Sequence, residues 1–277
     1  MNKKVYFFIY LVLLFPSLLL AQGENFIWIN GTGNWSDTLH WYSESGGLPG
    51  ELDNVVFNNG SFSEKNQVVT IDIPAACHNM TWSNSNMEPV LAGSGKLEIG
   101  GVLTLANDLT IDYTGDIRFT GVGSDHTLNT AGRTFKSNIE FDGLFAWNLS
   151  DILHTENKTI TLTSGTLNLN GNSMSCGAFQ SLTTDARSLN CASTAITIHG
   201  NNGSWKVNSS LGLNATGSNL IFDNPNLVSQ VTFEGGSLVY GNVAFMNDAL
   251  IKGSNKYGDL FLKADILINY RAAKPRP

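Results

Sequence analysis

Three aspartates and an arginine crowd into "NDLTIDYTGDIRF": Asp108, Asp112, Asp116 and Arg118. Outward carboxylates can hold calcium against an acidic sugar while an arginine removes a proton. Two carboxyl groups at a fixed separation can instead cleave a glycosidic bond. If Ile111, Ile117 and Phe119 point into a core, Asp112, Asp116 and Arg118 face water on neighbouring segments. Calcium takes about six to eight oxygen ligands, and the sequence offers two or three carboxylates here. The plainer reading is a solvated strand with turn aspartates. Catalysis by Asp112, Asp116 and Arg118, or a weak calcium site, stands as the alternative.

A second cluster lies in "WINGTGNWSDTLHWYSESGGLPGELDNVVF". Trp28, Trp35 and Trp41 are either a platform on which sugar rings stack or bulky side chains that close one end of a fold, each burying about 150–250 Å². Gly31, Gly33 and Gly46 permit a tight path, Asp37 can bond amides at a turn, and Pro49-Gly50 reads as a turn. The cap is the expected role.

The remaining groups suggest less chemistry. His40, His78, His126, His154 and His199 are scattered without HExxH or His-x-x-His spacing, so no zinc motif is read. "GSGKLEIGG" lacks phosphate-loop spacing and precedes a strand, which makes it a turn. Cys77, Cys176 and Cys191 show no CxxC pattern. Cys176 and Cys191 could close a disulfide; the expected reading is three small buried apolar side chains. Apart from that calcium alternative, no cofactor is expected.

What must position these residues is almost entirely strand. After "MNKKVYFFIYLVLLFPSLLLAQG", which reads as a secretory signal peptide over residues 1–21, helical periodicity is nearly absent. Period-two alternation recurs in "VVTIDI", "TITLTSGTLNLNGN", "AITIHG" and "DLFLKADILIN". Charged residues make up 14% of the chain, against about 25% in typical globular proteins. Asn, Ser, Thr and Gly supply the polar surface instead, and they favour turns over helix. Loss of Lys3 and Lys4 with the signal takes the formal charge from −7 to −9. Such a chain repels phosphate backbones, so nucleic acid is not an expected partner, nor is a membrane span after cleavage.

Gly-x-Φ-x-Φ (Φ apolar) recurs as "GKLEI" at Gly95, "GDIRF" at Gly115, "GTLNL" at Gly165, "GSWKV" at Gly203, "GSLVY" at Gly236 and "GDLFL" at Gly258. Intervals near 20 residues, and near 70 as three of these, are those of a β-solenoid whose coils stack at about 4.8 Å. The fold class expected is all-β, a parallel β-helix of about ten coils and a rod ~50 Å long. A β-sandwich or a pair of them is the alternative, because the Asn-Gly of "LNLNGNSM" and the Asp-Gly of "FDGLF" could be hairpin turns. Expected divisions are a Trp-rich cap over 22–62, repeats over 63–270, and a disordered or truncated tail over 271–277, where the basic, proline-rich "RAAKPRP" carries no cap.

The Trp-rich segment and "ITLTSGTLNLNGNSMSCGAFQSLTTDARSLNCASTAITIHGNNGSWKVNSS" resemble the opening and the repeats of autotransporter-like and Bacteroidetes surface β-solenoid proteins. That resemblance covers about a third of the chain. It implies an exported right-handed parallel β-helix and no enzyme activity. The expected role is a secreted or cell-surface stalk or adhesin-type module that meets glycans or other surface polymers through many small contacts. A polysaccharide lyase or glycoside hydrolase on the same scaffold is the alternative.

Overall fold

In the computed structural model, Ile117 lies between Leu97 and Ile139 as their parallel pairing partner, and the pattern repeats up the molecule. One apolar column runs Ala75, Leu97, Ile117, Ile139, Ile160, Phe179, Trp205, Phe233, Ile251. Every member is buried, none more than 6% exposed. Successive members stand 18 residues apart (Phe233 to Ile251) to 28 apart (Trp205 to Phe233). This is a β-solenoid of about nine turns. The structure describes residues 23–121, 123–226, 230–263 and 267–271. The signal expected at 1–21 and most of the tail expected at 271–277 lie outside them.

Most coils contribute strands to three faces. A first ladder contains Asn25–Trp28, Asn54–Phe57, Met80–Trp82, Leu103–Thr104, His126–Asn129 and, later, Arg187–Asn190 and Gly212–Asn214. A second contains Ala75–Cys77, Leu97–Ile99, Ile117–Phe119, Ala178–Ser181, Ser204–Val207, Val231–Gly235, Ala249–Lys252 and Ile268–Arg271. Two long strands, Ile139–Leu149 and Thr159–Asn168, belong to both and join them into one 18-stranded sheet. The third face is built from a four-stranded sheet followed by a seven-stranded one.

Strand residues alternate between buried and more accessible, as in "LEI" at 97–99 and "IRF" at 117–119. Burying each large apolar side chain stabilises the fold by about 1.5–3 kcal/mol. Rings stack between coils: Phe57 on Trp82 at 3.7 Å, Phe119 on Phe141 at 5.1 Å, Phe179 on Trp205 at 4.5 Å and Phe222 on Phe245 at 4.8 Å. Asparagine amides bond along the axis as well. Asn79 donates to Asn54 at 2.7 Å, and Asn54 to Asn25 at 3.0 Å. Among the described residues, five of the nine non-glycine positions with positive φ are asparagines, the residue type that tolerates this backbone at corners.

The sandwich alternative fails on pairing direction. Among the described residues every strand pairing is parallel except that of Ile27 and Trp28 with Tyr42 and Trp41. Asn170 and Gly171 turn a corner from the first ladder to the third, with φ of 50° and 80°. Asp142-Gly143 is a bulge inside the long strand Ile139–Leu149, not a hairpin.

The expected cap begins inside the solenoid, since Asn25–Trp28 already pairs in parallel with Asn54–Phe57. Closure is made by Trp41–Tyr42, which runs antiparallel along the other side of Asn25–Trp28. An open strand edge invites pairing with other chains, and this edge is covered.

Candidate functional site

Trp28, Trp35 and Trp41 are 0%, 1% and 6% exposed, so none presents a free face to a sugar. Trp41 meets Trp28 edge-on at 4.9 Å and Trp35 at 4.8 Å. Trp28 Nε1 donates to the Gly31 carbonyl at 2.7 Å, and Trp41 Nε1 to that of Trp35 at 2.9 Å. These tryptophans do the work of a cap.

Asp112, Asp116 and Arg118 take separate partners. Asp112, beyond the third-ladder strand Thr110–Ile111, accepts from Lys136 at 2.7 Å. Asp116, at the next corner, accepts from Asn138 at 3.0 Å. Arg118 points out from the second ladder toward Glu98 at 3.3 Å, Glu140 at 3.7 Å and Asp142. The hydrogen bond that Arg118 donates to Asp142, with further help from Glu98 and Glu140, holds the guanidinium above even the usual arginine range. An environment that secures the proton so firmly works against proton abstraction by Arg118. No group of three or more His, Cys, Asp or Glu side chains that could hold a metal ion occurs among the described residues.

Cys77, Cys176 and Cys191 are buried and free. Cys176 lies in a third-ladder strand and Cys191 just past a first-ladder one, so the two sit on different walls of the coil. Burial pushes all three thiols up, Cys191 to about 11, which leaves them as neutral core side chains.

What the solenoid does assemble is a row. On the outward side of the second ladder, Glu98, Arg118, Glu140, Thr161, Gln180, Lys206, Glu234 and Lys252 are consecutive register partners. At about 4.8 Å per coil the row is about 34 Å long. Ion pairs mark both ends, Arg118 with its carboxylates and Lys252 with Glu234 at 2.5 Å. The middle is uncharged, Thr161 and Gln180, and Lys206 beside it makes no ion pair among the described residues.

Two adjoining open depressions follow this row and share Thr159 and Gln180. One is bounded by Lys96, Asp116, Arg118, Asn138 and Glu140. The other is bounded by Asn157, Asn201, Asn202, Ser204 and Lys206, and includes Gly177 and Gly200. These glycines are required. A Cβ at Gly177 would lie 2.3 Å from the Asn157 carbonyl carbon, and one at Gly200 2.4 Å from the Gly177 oxygen. The groove is therefore a shallow polar channel along the axis, rich in amide and hydroxyl groups. Such a surface can exchange hydrogen bonds with a hydroxylated chain laid along it.

Set against protein-family models, curated proteins and solved structures, the chain matches none. The groove has to be read from its own geometry. Of the sequence candidates, Asp116 and Arg118 border it, whereas Asp112 does not. Gln180, Asn157, Asn202 and Lys206 escaped sequence reasoning. For Gln180 and Lys206 the signal was the outward position one residue after Phe179 and Trp205 of the apolar column, whereas Asn157 and Asn202 stand at corners three residues before Ile160 and Trp205.

Proposed function

We propose that the chain is an exported, non-catalytic β-solenoid, a surface stalk or adhesin-type module that contacts glycans along its second ladder. The observation that carries this reading is the polar groove whose uncharged centre, Thr159, Thr161 and Gln180, continues into Asn157, Asn202 and Lys206. Amides and hydroxyls spaced by coil height suit a linear polysaccharide better than a small ligand. Contacts that are individually weak add up along a rod. A secreted or cell-surface location follows from the signal-like first residues, and the resemblance of the Trp-rich segment to Bacteroidetes-type surface proteins agrees with it. No helix among the described residues is long and apolar enough to cross a membrane.

The test is a glycan array followed by titration with oligosaccharides of increasing length. Affinity that rises with chain length and falls about tenfold in a Gln180→Ala/Asn202→Ala variant supports the reading. Absence of binding across the array would sink it. Turnover of an acidic polysaccharide, abolished by Asp116→Ala, would replace it with the lyase or hydrolase alternative.

A further inference from the structure

The sequence holds four Asn-Gly pairs, beginning at Asn30, Asn59, Asn170 and Asn202. Before glycine, an asparagine side chain is open to attack by the next backbone nitrogen, because glycine carries no Cβ to obstruct it. In the folded chain three of these nitrogens are engaged. Gly31 N–H donates to the Ser61 carbonyl at 3.0 Å, Gly203 N–H to that of Gly200 at 2.9 Å, and Gly60 N–H to Asn58 Oδ1 at 2.8 Å. The Gly171 N–H has no hydrogen-bond partner among the described residues. It sits at the centre of a tight turn, closed by Asn172 N–H on the Leu169 carbonyl at 2.8 Å. Asn170 and Gly171 are both exposed, and no atom lies within 4 Å of where a Gly171 Cβ would stand.

The fold does not need asparagine at this corner. Ala131-Gly132 makes the same turn in an earlier coil, with φ of 50° and 66° against 50° and 80° for Asn170-Gly171. It is closed in the same way, by Arg133 N–H on the Thr130 carbonyl at 2.9 Å. The Asn170 amide donates to the Leu149 carbonyl at 3.2 Å, but Asn172 donates to the same oxygen at 3.1 Å. That oxygen stays bonded when the Asn170 amide is lost.

We propose that Asn170 is a self-modification site, converted in the folded protein to aspartate and isoaspartate. The Gly171 nitrogen bonds to the side-chain carbonyl carbon of Asn170. The bond from that carbon to the amide nitrogen breaks, and ammonia leaves with the proton that Gly171 gives up. Water then opens the resulting cyclic imide, at one carbonyl to give aspartate and at the other to give isoaspartate. One water enters and one ammonia departs, with no oxidant, reductant or enzyme. Either product sets a carboxylate at the corner between the first and third ladders, and isoaspartate also routes the main chain through an extra methylene. A surface with few charges thus acquires one with age, where the stacked coils tolerate it.

The test is incubation of the folded protein at mildly alkaline pH, followed by mass-spectrometric peptide mapping and enzymatic labelling of isoaspartate. Asn170 should convert about tenfold faster than Asn30, Asn59 or Asn202, the factor imposed on those three by having to break a hydrogen bond first. In urea, where no fold engages the glycine nitrogens, all four should react at similar rates. Asn170→Ala, patterned on the Ala131 corner, should stay folded by circular dichroism and lose the early product. The same order and spread of rates in urea would show that neighbouring sequence selects the site, and would overturn the proposal. So would a folded protein in which another of the four converts first, or one in which Asn170 stays unchanged.

Discussion

Arg187 donates its Nε hydrogen to Ser181 Oγ at 2.6 Å, tying the start of one strand to the end of the strand before it. Its other four N–H groups reach the carbonyls of Ser181 and Asp185, Ser210 Oγ and Asn208 Oδ1. Five donors meet five oxygens with no carboxylate among them, although Arg187 is 4% exposed. Burial lowers its pKa and Asp185 pushes back; the guanidinium stays charged because arginine starts so high. The corner loop between two ladders is thus organised around a buried cation.

Arg187→Lys and Arg187→Met should both destabilise the protein, by about 2–4 kcal/mol. Lysine keeps the charge but has three donors instead of a fixed fork, so it rescues little. Urea unfolding of the two variants checks this. A lysine variant as stable as wild type would show that charge, not donor geometry, holds the corner.

Trp41 touches Trp28, Trp35, Phe26 and Phe57. Truncation to alanine should cost about 3–5 kcal/mol. Because coils contact only their neighbours, the damage should stay local. Hydrogen exchange should speed up at Val55–Phe57 and remain unchanged at Val231–Gly235.

Arg118 offsets a line of like charges. Its hydrogen bonds hold Asp142 and Glu98 below their usual range. For Glu98 the first cause is Lys96, and for Asp142 the bonds from Arg118 and Ser164 outweigh its burial. Carboxylates with depressed pKa lend stability above their unfolded values, about 4, and lose it as the pH falls through the folded ones. Arg118→Ala should therefore cost about 1 kcal/mol at pH 7, after allowance for solvent exposure, and close to nothing at pH 2–3. Denaturation midpoints of both proteins at the two pH values decide it.

Gly177→Ala should lose about 1–3 kcal/mol, because its new Cβ meets backbone of the neighbouring coil that cannot move aside. Gly50→Ala, where the nearest atom is a side-chain oxygen at 3.6 Å, serves as the control and should be near neutral.

The solenoid was legible in the sequence, but the Gly-x-Φ-x-Φ recurrence behaves differently from the way it reads. Gly95 and Gly115 open strands of the same ladder one coil apart. "GTLNL" at Gly165 continues a first-ladder strand, whereas "GDLFL" at Gly258 opens a third-ladder one. Glycine marks corners, and a coil has three, so a 70-residue spacing need not return to the same face. The burial of the tryptophans followed from their size and spacing. The groove did not, because Glu140, Thr161, Gln180 and Lys206 align only once the unequal coil lengths are known.

Elsewhere the first and second ladders are joined by segments outside any strand, but Ile139–Leu149 and Thr159–Asn168 pass from one to the other as single strands. A protease finds no slack there, and a force along the rod finds no loop to unravel. Cut or stretched, the molecule should give way on either side and leave these two coils as its toughest remnant.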